Sequence, residues 1–224
     1  MAAASSCTFV RFNDKGISMS GSGYVTATGE VRTVDFDVPQ FTGIETWVSG
    51  DIRYTAAADG EPSVSISAPE SILDQFLVEV EDGVLLIRSK DNKKWNAKVT
   101  ITVQSSTLEK LSIRGAGDFN ALSAIDTRSL DVDVKGAGDI DFEDVECEGD
   151  VSVSIEGAGD IGFRWLQCSD VKVDVKGAGD VRLAGKAQNA DLSIKGAGDI
   201  DILNLTVTGN VSSSVAGVGS IKKN

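Results

Sequence analysis

The chain has 224 residues, 41% hydrophobic and 6% aromatic, with 34 acidic against 21 basic side chains, a formal charge of −13 and no histidine. Without imidazole there is no Ser-His-Asp triad, no His-based proton transfer and little scope for zinc. The acidic balance opposes nucleic acid or anionic lipid as a partner, and no stretch approaches the roughly 18 apolar residues of a membrane-spanning helix.

Residues 1–23 carry Gly16, Gly21, Gly23 and several serines, and read as a flexible leader. Met1 to Ser6 is too short and too weakly apolar for the core of a secretory signal. Two readings of Cys7 stay open: the position where a lipoprotein signal has been cut and the thiol acylated, or an ordinary residue of the leader. A second region, 24–107, is strand-like. Tyr24 to Ala27, Val31 to Val38 and Gly43 to Val48 read as strands, and Ser49-Gly50-Asp51-Ile52 resembles a weak form of a turn that recurs later. Ser63 to Ser67 alternates as another strand. Pro69 to Phe76 has proline in a first turn with Glu70 and Asp74 nearby, which predicts one short helix. Phe76 to Val80 and Val84 to Ile87, joined through Asp82-Gly83, predict a hairpin. A polar loop over Asp91 to Asn96 precedes a strand over Lys98 to Val103.

From Leu108 to the last residue, 224, the sequence is periodic. Gly-Ala-Gly-Asp begins at Gly115, Gly136, Gly157, Gly177 and Gly196, with a degenerate Gly-Val-Gly-Ser at Gly217, at spacings of 21, 21, 20, 19 and 21 residues. Two residues before the first glycine stand Ile113, Val134, Ile155, Val175, Ile194 and Val215, separated by polar residues from a second apolar column two positions earlier. Behind each aspartate the alternation resumes with Phe119, Ile140, Ile161, Val181 and Ile200. Each repeat therefore supplies two strands about a glycine corner, and a short third one in stretches such as Glu143 to Glu148. No repeat can bury this set alone; stacking at the ~4.8 Å strand separation makes a continuous aliphatic column. The fold class is all-β, a parallel β-helix or solenoid with coils of about 20 residues, and region 24–107 is an irregular β section that caps it. The corner glycines serve either a positive φ or a backbone packed too closely for a Cβ.

The Gly-Ala-Gly-Asp copies, with Phe41-Thr42-Gly43-Ile44 and Gly83-Val84-Leu85, resemble the head-GIN domain family of putative autotransporter adhesins, over about Val34 to Lys222. The resemblance implies a right-handed parallel β-helix at the bacterial cell envelope, secreted, periplasmic or lipid-anchored. It brings no catalytic residues and no cofactor. Fold alone does not carry function.

The aspartates Asp118, Asp139, Asp160, Asp180 and Asp199 would stand about 5 Å apart on successive coils. Either a divalent cation such as Ca²⁺ bridges them, or each accepts backbone N–H bonds within its own turn. Beside them Arg114, Lys135, Glu156, Lys176 and Lys195 form a strip able to neutralise the aspartates across the corner. Cys147 and Cys168 both fall eleven residues after a first glycine, so they stack on adjacent coils as small apolar fillers or as a disulfide. The leading expectation is a non-enzymatic envelope protein whose rigid face takes a glycan, an envelope protein or a second copy of the chain. The rival is a β-helix carbohydrate-active enzyme using Asp141, Arg164, Lys172 and Arg182, which match no recognised motif.

Overall fold

The computed structural model describes residues 25–57 and 60–223. The leader, Cys7 and Tyr24 lie outside the described residues. Of the strand expected at Tyr24 to Ala27, residues 25–27 are not extended into a ladder; the N–H of Val25 instead donates to the Lys94 carbonyl at 2.8 Å.

The repeats stack as the alternation requires. Before the corner lie β8 (Lys110–Ile113), β11 (Leu130–Val134) and β14 (Val151–Ile155); after it lie β9 (Phe119–Ala121) and β12 (Ile140–Phe142). The third side is β10 (Ile125–Thr127) and β13 (Val145–Cys147). In the later coils the strands run on around the bends as β15 (Ile161–Val175), β16 (Val181–Ile194) and β17 (Ala197–Val207), followed by β18 (Val211–Val215) and β19 (Val218–Lys222). All these neighbours pair in parallel, with Val134, Ile155, Val175 and Ile194 in one register column. Every member of that column is at most 1% exposed, so each coil is closed by the next. Rings occupy one line of the interior: Phe119 and Phe142 lie 5.5 Å apart, and Phe142 and Phe163 stack at 4.5 Å.

The first coils are out of sequence order. Residues of β1 (Val31–Phe36), β2 (Gly43–Thr46), β3 (Asp51–Ala56), β4 (Ser63–Pro69), the helix α1 (Glu70–Leu73), β5 (Phe76–Glu81), β6 (Val84–Ser89) and β7 (Thr100–Ser105) build this end. β2 pairs in parallel with both β6 and β8, and β3 with both β7 and β9. The coil of β6 and β7 therefore underlies that of β2 and β3, although it follows it in sequence. Beneath it the direction reverses: β5 lies antiparallel on β6, β4 on β7 and β1 on β4. Antiparallel partners satisfy the peptide groups of the first parallel coil, which would otherwise be an open edge.

Several local expectations shift. The helix is one turn long because Pro69 is still extended, at φ −53 and ψ 136. The hairpin turn is as read, with Asp82 at φ 49 and Gly83 at φ 75. Trp95, inside the expected polar loop, is buried against Phe76 with ring centroids 4.9 Å apart. Ser112, one of the polar residues between the two apolar columns, is nevertheless 1% exposed, in register between the longer Glu45 and Asp133.

Candidate functional site

The glycine corners lie in file. The N–H of Ala137 donates to the Gly115 carbonyl, Ala158 to Gly136, Ala178 to Gly157 and Ala197 to Gly177, at 3.0 to 3.1 Å. This direct backbone contact dictates the residue type: a Cβ on Gly136 would collide with the carbonyl oxygen of Gly115, and one on Gly157 with that of Gly136. Close approach, rather than backbone angle, is what the first glycine serves; a positive φ occurs at the second, in Gly117 (φ 146) and Gly138 (φ 143). The weak turn at Ser49 to Ile52 belongs to the same file, because a Cβ on Gly117 would strike Gly50 and Ile52 pairs with Phe119.

The aspartates form an inter-coil ladder. Oδ1 of Asp118 accepts the N–H of Asp139 at 3.0 Å, Asp139 that of Asp160 at 3.2 Å, Asp160 that of Asp180 at 2.9 Å and Asp180 that of Asp199 at 2.8 Å. Asp199 accepts both the N–H and the hydroxyl of Ser220, at 2.8 and 2.9 Å. The reading of N–H bonds inside each aspartate's own turn is thus corrected: the donor is one coil on. Stacking brings the following turn's amide under the carboxylate, while the corner itself is bonded through its glycine carbonyls. Bonding to Ser220, first through its hydroxyl and then its N–H, with Lys222 behind, holds the Asp199 carboxyl below the usual range. Among the described residues no group of three or more His, Cys, Asp or Glu side chains is arranged to hold a metal ion.

The neutralising bases are also different ones. Lys135 pairs with Asp133 at 3.4 Å and Glu156 at 3.6 Å, Lys176 with Asp174 at 3.1 Å and Glu156 at 3.6 Å, and Arg114 with Glu45 at 3.1 Å. The residue before the first glycine shares its strand face with the residue two earlier, so the strip neutralises itself. Asp160 and Asp180 are bridged instead by Arg182, at 3.5 and 3.3 Å, and Asp199 by Lys222 at 3.3 Å.

A second ladder runs along another bend. Oδ1 of Asp150 accepts the N–H of Asp170 at 3.3 Å, the Asn189 amide donates to Asp170 at 2.8 Å, and Oδ1 of Asn189 accepts the N–H of Asn210 at 2.9 Å. Sequence reasoning missed it, although these residues recur at the repeat spacing just before Val151, Val171, Ala190 and Val211, which share one register column.

Cys147 and Cys168 are buried free thiols on adjacent strands. Burial pushes the Cys168 thiol up to about 12, the neighbouring Cys147 adding to it.

Two open hollows mark the surface. The larger, about 700 Å³, lies on the third side among Glu109, Asp126, Arg128, Glu146, Glu148 and Gln167. The smaller, about 280 Å³, brings together Asp139, Asp141, Asp160, Arg164 and Arg182. Three of the four residues named for an enzyme thus meet, but Lys172 does not join them. It lies on the strand before the corner, in register with Ser152 and Asp191.

The family model described as "Putative auto-transporter adhesin, head GIN domain" matches residues 40–149 and 143–224. No curated protein matches the chain in sequence. A crystal structure described as a putative adhesin from Bacteroides fragilis superposes with a TM-score of 0.74 at 26% identity, over 89% of this chain and 100% of that one. A putative adhesin from Parabacteroides merdae gives 0.73 at 18% identity, over 90% and 99%. A protein described as a putative lipid binding protein from Parabacteroides distasonis gives 0.55 at 20%, over 90% and 99%. The last two likenesses are of fold. No helix among the described residues is long and apolar enough to cross a membrane.

Proposed function

The chain belongs to the head-GIN family of putative autotransporter adhesins, and from that premise we propose that it is a non-enzymatic adhesin-like protein of the cell envelope. It acts by offering the sides of a rigid solenoid to a ligand. The observation that carries this reading is the ladder of Asp118 to Asp199, which locks successive coils through carboxylate to N–H bonds on a partly exposed edge. Side chains projecting from such a frame are pre-positioned, so binding orders few groups. The 26% identity with an adhesin-described structure over 89% of the chain supports the same assignment.

Beads carrying the purified chain, drawn under flow over defined polysaccharides and matrix proteins, test it. Retention on at least one surface, absent from beads carrying unfolded chain, is expected. Retention on none contradicts the reading. The meeting of Asp141, Arg164 and Arg182 favours one rival, a carbohydrate-active enzyme. New reducing or unsaturated ends on acidic glycans, with or without calcium, would establish it instead.

A further inference from the structure

On the strand after the corner, the outward positions of successive coils are Asn120, Asp141, Gly162, Arg182 and Asp201. Four of these five carry polar side chains, and Gly162 carries none. A Cβ there would press on Oδ1 of Asp141 at 3.0 Å. The 280 Å³ hollow exists because one side chain is missing from this column. Its walls are Asp141 on one flank, Arg182 on the other, Asp139 and Asp160 toward the corner and Arg164 at the opposite rim.

A bulge shapes that rim. The β15 to β16 register shifts between Phe163 and Leu166, so Arg164 and Trp165, adjacent in sequence, are both exposed. Bulges re-aim side chains in this way. Trp165, next in sequence to the rim residue Arg164, is 41% exposed, with the Lys186 ammonium 5.9 Å from its ring centroid.

The polar groups differ in how they are engaged. Arg182 is fixed by Asp160 and Asp180, and Arg164 by Glu143 at 3.3 Å. Asp141 makes no hydrogen bond or ion pair among the described residues. The hollow therefore holds one uncommitted carboxylate and two paired guanidiniums with N–H groups to spare, and the residue that follows its rim Arg164 is an exposed tryptophan.

We propose that this hollow is a binding site for a neutral pyranose, a unit of an uncharged polysaccharide. Asp141 accepts from a pair of vicinal hydroxyls, the guanidiniums donate to ring and hydroxyl oxygens, and the Trp165 face covers the C–H face of the sugar. An acidic sugar is disfavoured, because three carboxylates outnumber two guanidiniums that are already paired. The proposal rests on the binding-protein reading and names its ligand class.

A titration of the ¹⁵N-labelled chain with cellotriose, maltotriose and mannotriose, and with trigalacturonate as the charged comparison, tests it. At least one neutral trisaccharide at millimolar concentration is expected to shift the Gly162 amide and the Trp165 Nε1–H saturably. Asp141→Ala should weaken binding about tenfold, the effect of leaving sugar hydroxyls without their acceptor. Gly162→Asn, which restores to the column the residue it carries at position 120, should abolish it. Unchanged amide signals elsewhere verify that both variants fold. The proposal is overturned if no neutral trisaccharide at tens of millimolar moves these signals, if binding survives Gly162→Asn, or if only trigalacturonate binds. Beads that still adhere while these signals stay fixed would remove the sugar site and leave the adhesive reading standing; beads that fail as well remove both.

Discussion

The backbone N–H of Asp180 donates to Oδ1 of Asp160 at 2.9 Å, across the boundary between two coils. The bond needs an acceptor oxygen, not a negative charge. Asp160→Asn keeps an oxygen there and should lie within about 0.5 kcal/mol of the parent, while Asp160→Ala, which strands the amide, should lose about 1 kcal/mol or more. Urea unfolding midpoints decide it; equal losses would mean that the charge, and its pairing with Arg182, is what matters.

The corner glycines should tolerate almost nothing. In Gly157→Val the new side chain meets the Gly136 carbonyl, so the coils must separate. We expect a loss of at least about 3 kcal/mol, against about 1 kcal/mol for Gly83→Ala, where φ is 75 but the space is open. Thermal denaturation of the two variants gives the comparison.

Asp199 links stability to acid. Its folded pKa is lowered from the usual 3.8, so its contribution is complete above that value and is lost as pH falls through the lower folded one. Melting temperature should show no loss from this group between about pH 8 and 5 and should fall below about 4. In Ser220→Ala, which removes the largest cause of the shift, the acid loss from this group should be shallower.

The thiols should be silent in the folded protein. With Cys168 pushed up to about 12 by burial, and Cys147 raised for the same reason, almost no thiolate exists at neutral pH. In a Cys7→Ser background, Ellman's reagent should label neither thiol on the timescale that labels both in urea. Rapid labelling without denaturant would show that this part of the third side opens.

The coils from Leu108 onward were legible because one physical demand repeats five times in full: an aliphatic pair before the corner, glycine at the contact, aspartate beyond. The end built by β1 to β7 was legible as strands but not as an order. Nothing in Val84 to Ile87 announces that it passes beneath Gly43 to Thr46, since parallel register between strands so far apart in sequence is a long-range choice. Lys135 and Arg182 were misassigned or missed as partners because charge pairing follows the strand face, and a list of nearby charges does not carry that. The hollow at Gly162 depends on a side chain that is absent, and the bulge that exposes Trp165 leaves only the step from a spacing of 20 to one of 19 as its trace.

Everything in this account depends on glycine corners bonded one above another. The most direct measurement is the scalar coupling across hydrogen bonds, from the amide nitrogens of Ala137, Ala158, Ala178 and Ala197 to carbonyl carbons, in the deuterated chain. Couplings to Gly115, Gly136, Gly157 and Gly177 respectively are expected. Couplings to any other carbonyls, or amides that exchange freely with water, would contradict the stacked solenoid and every surface described on it.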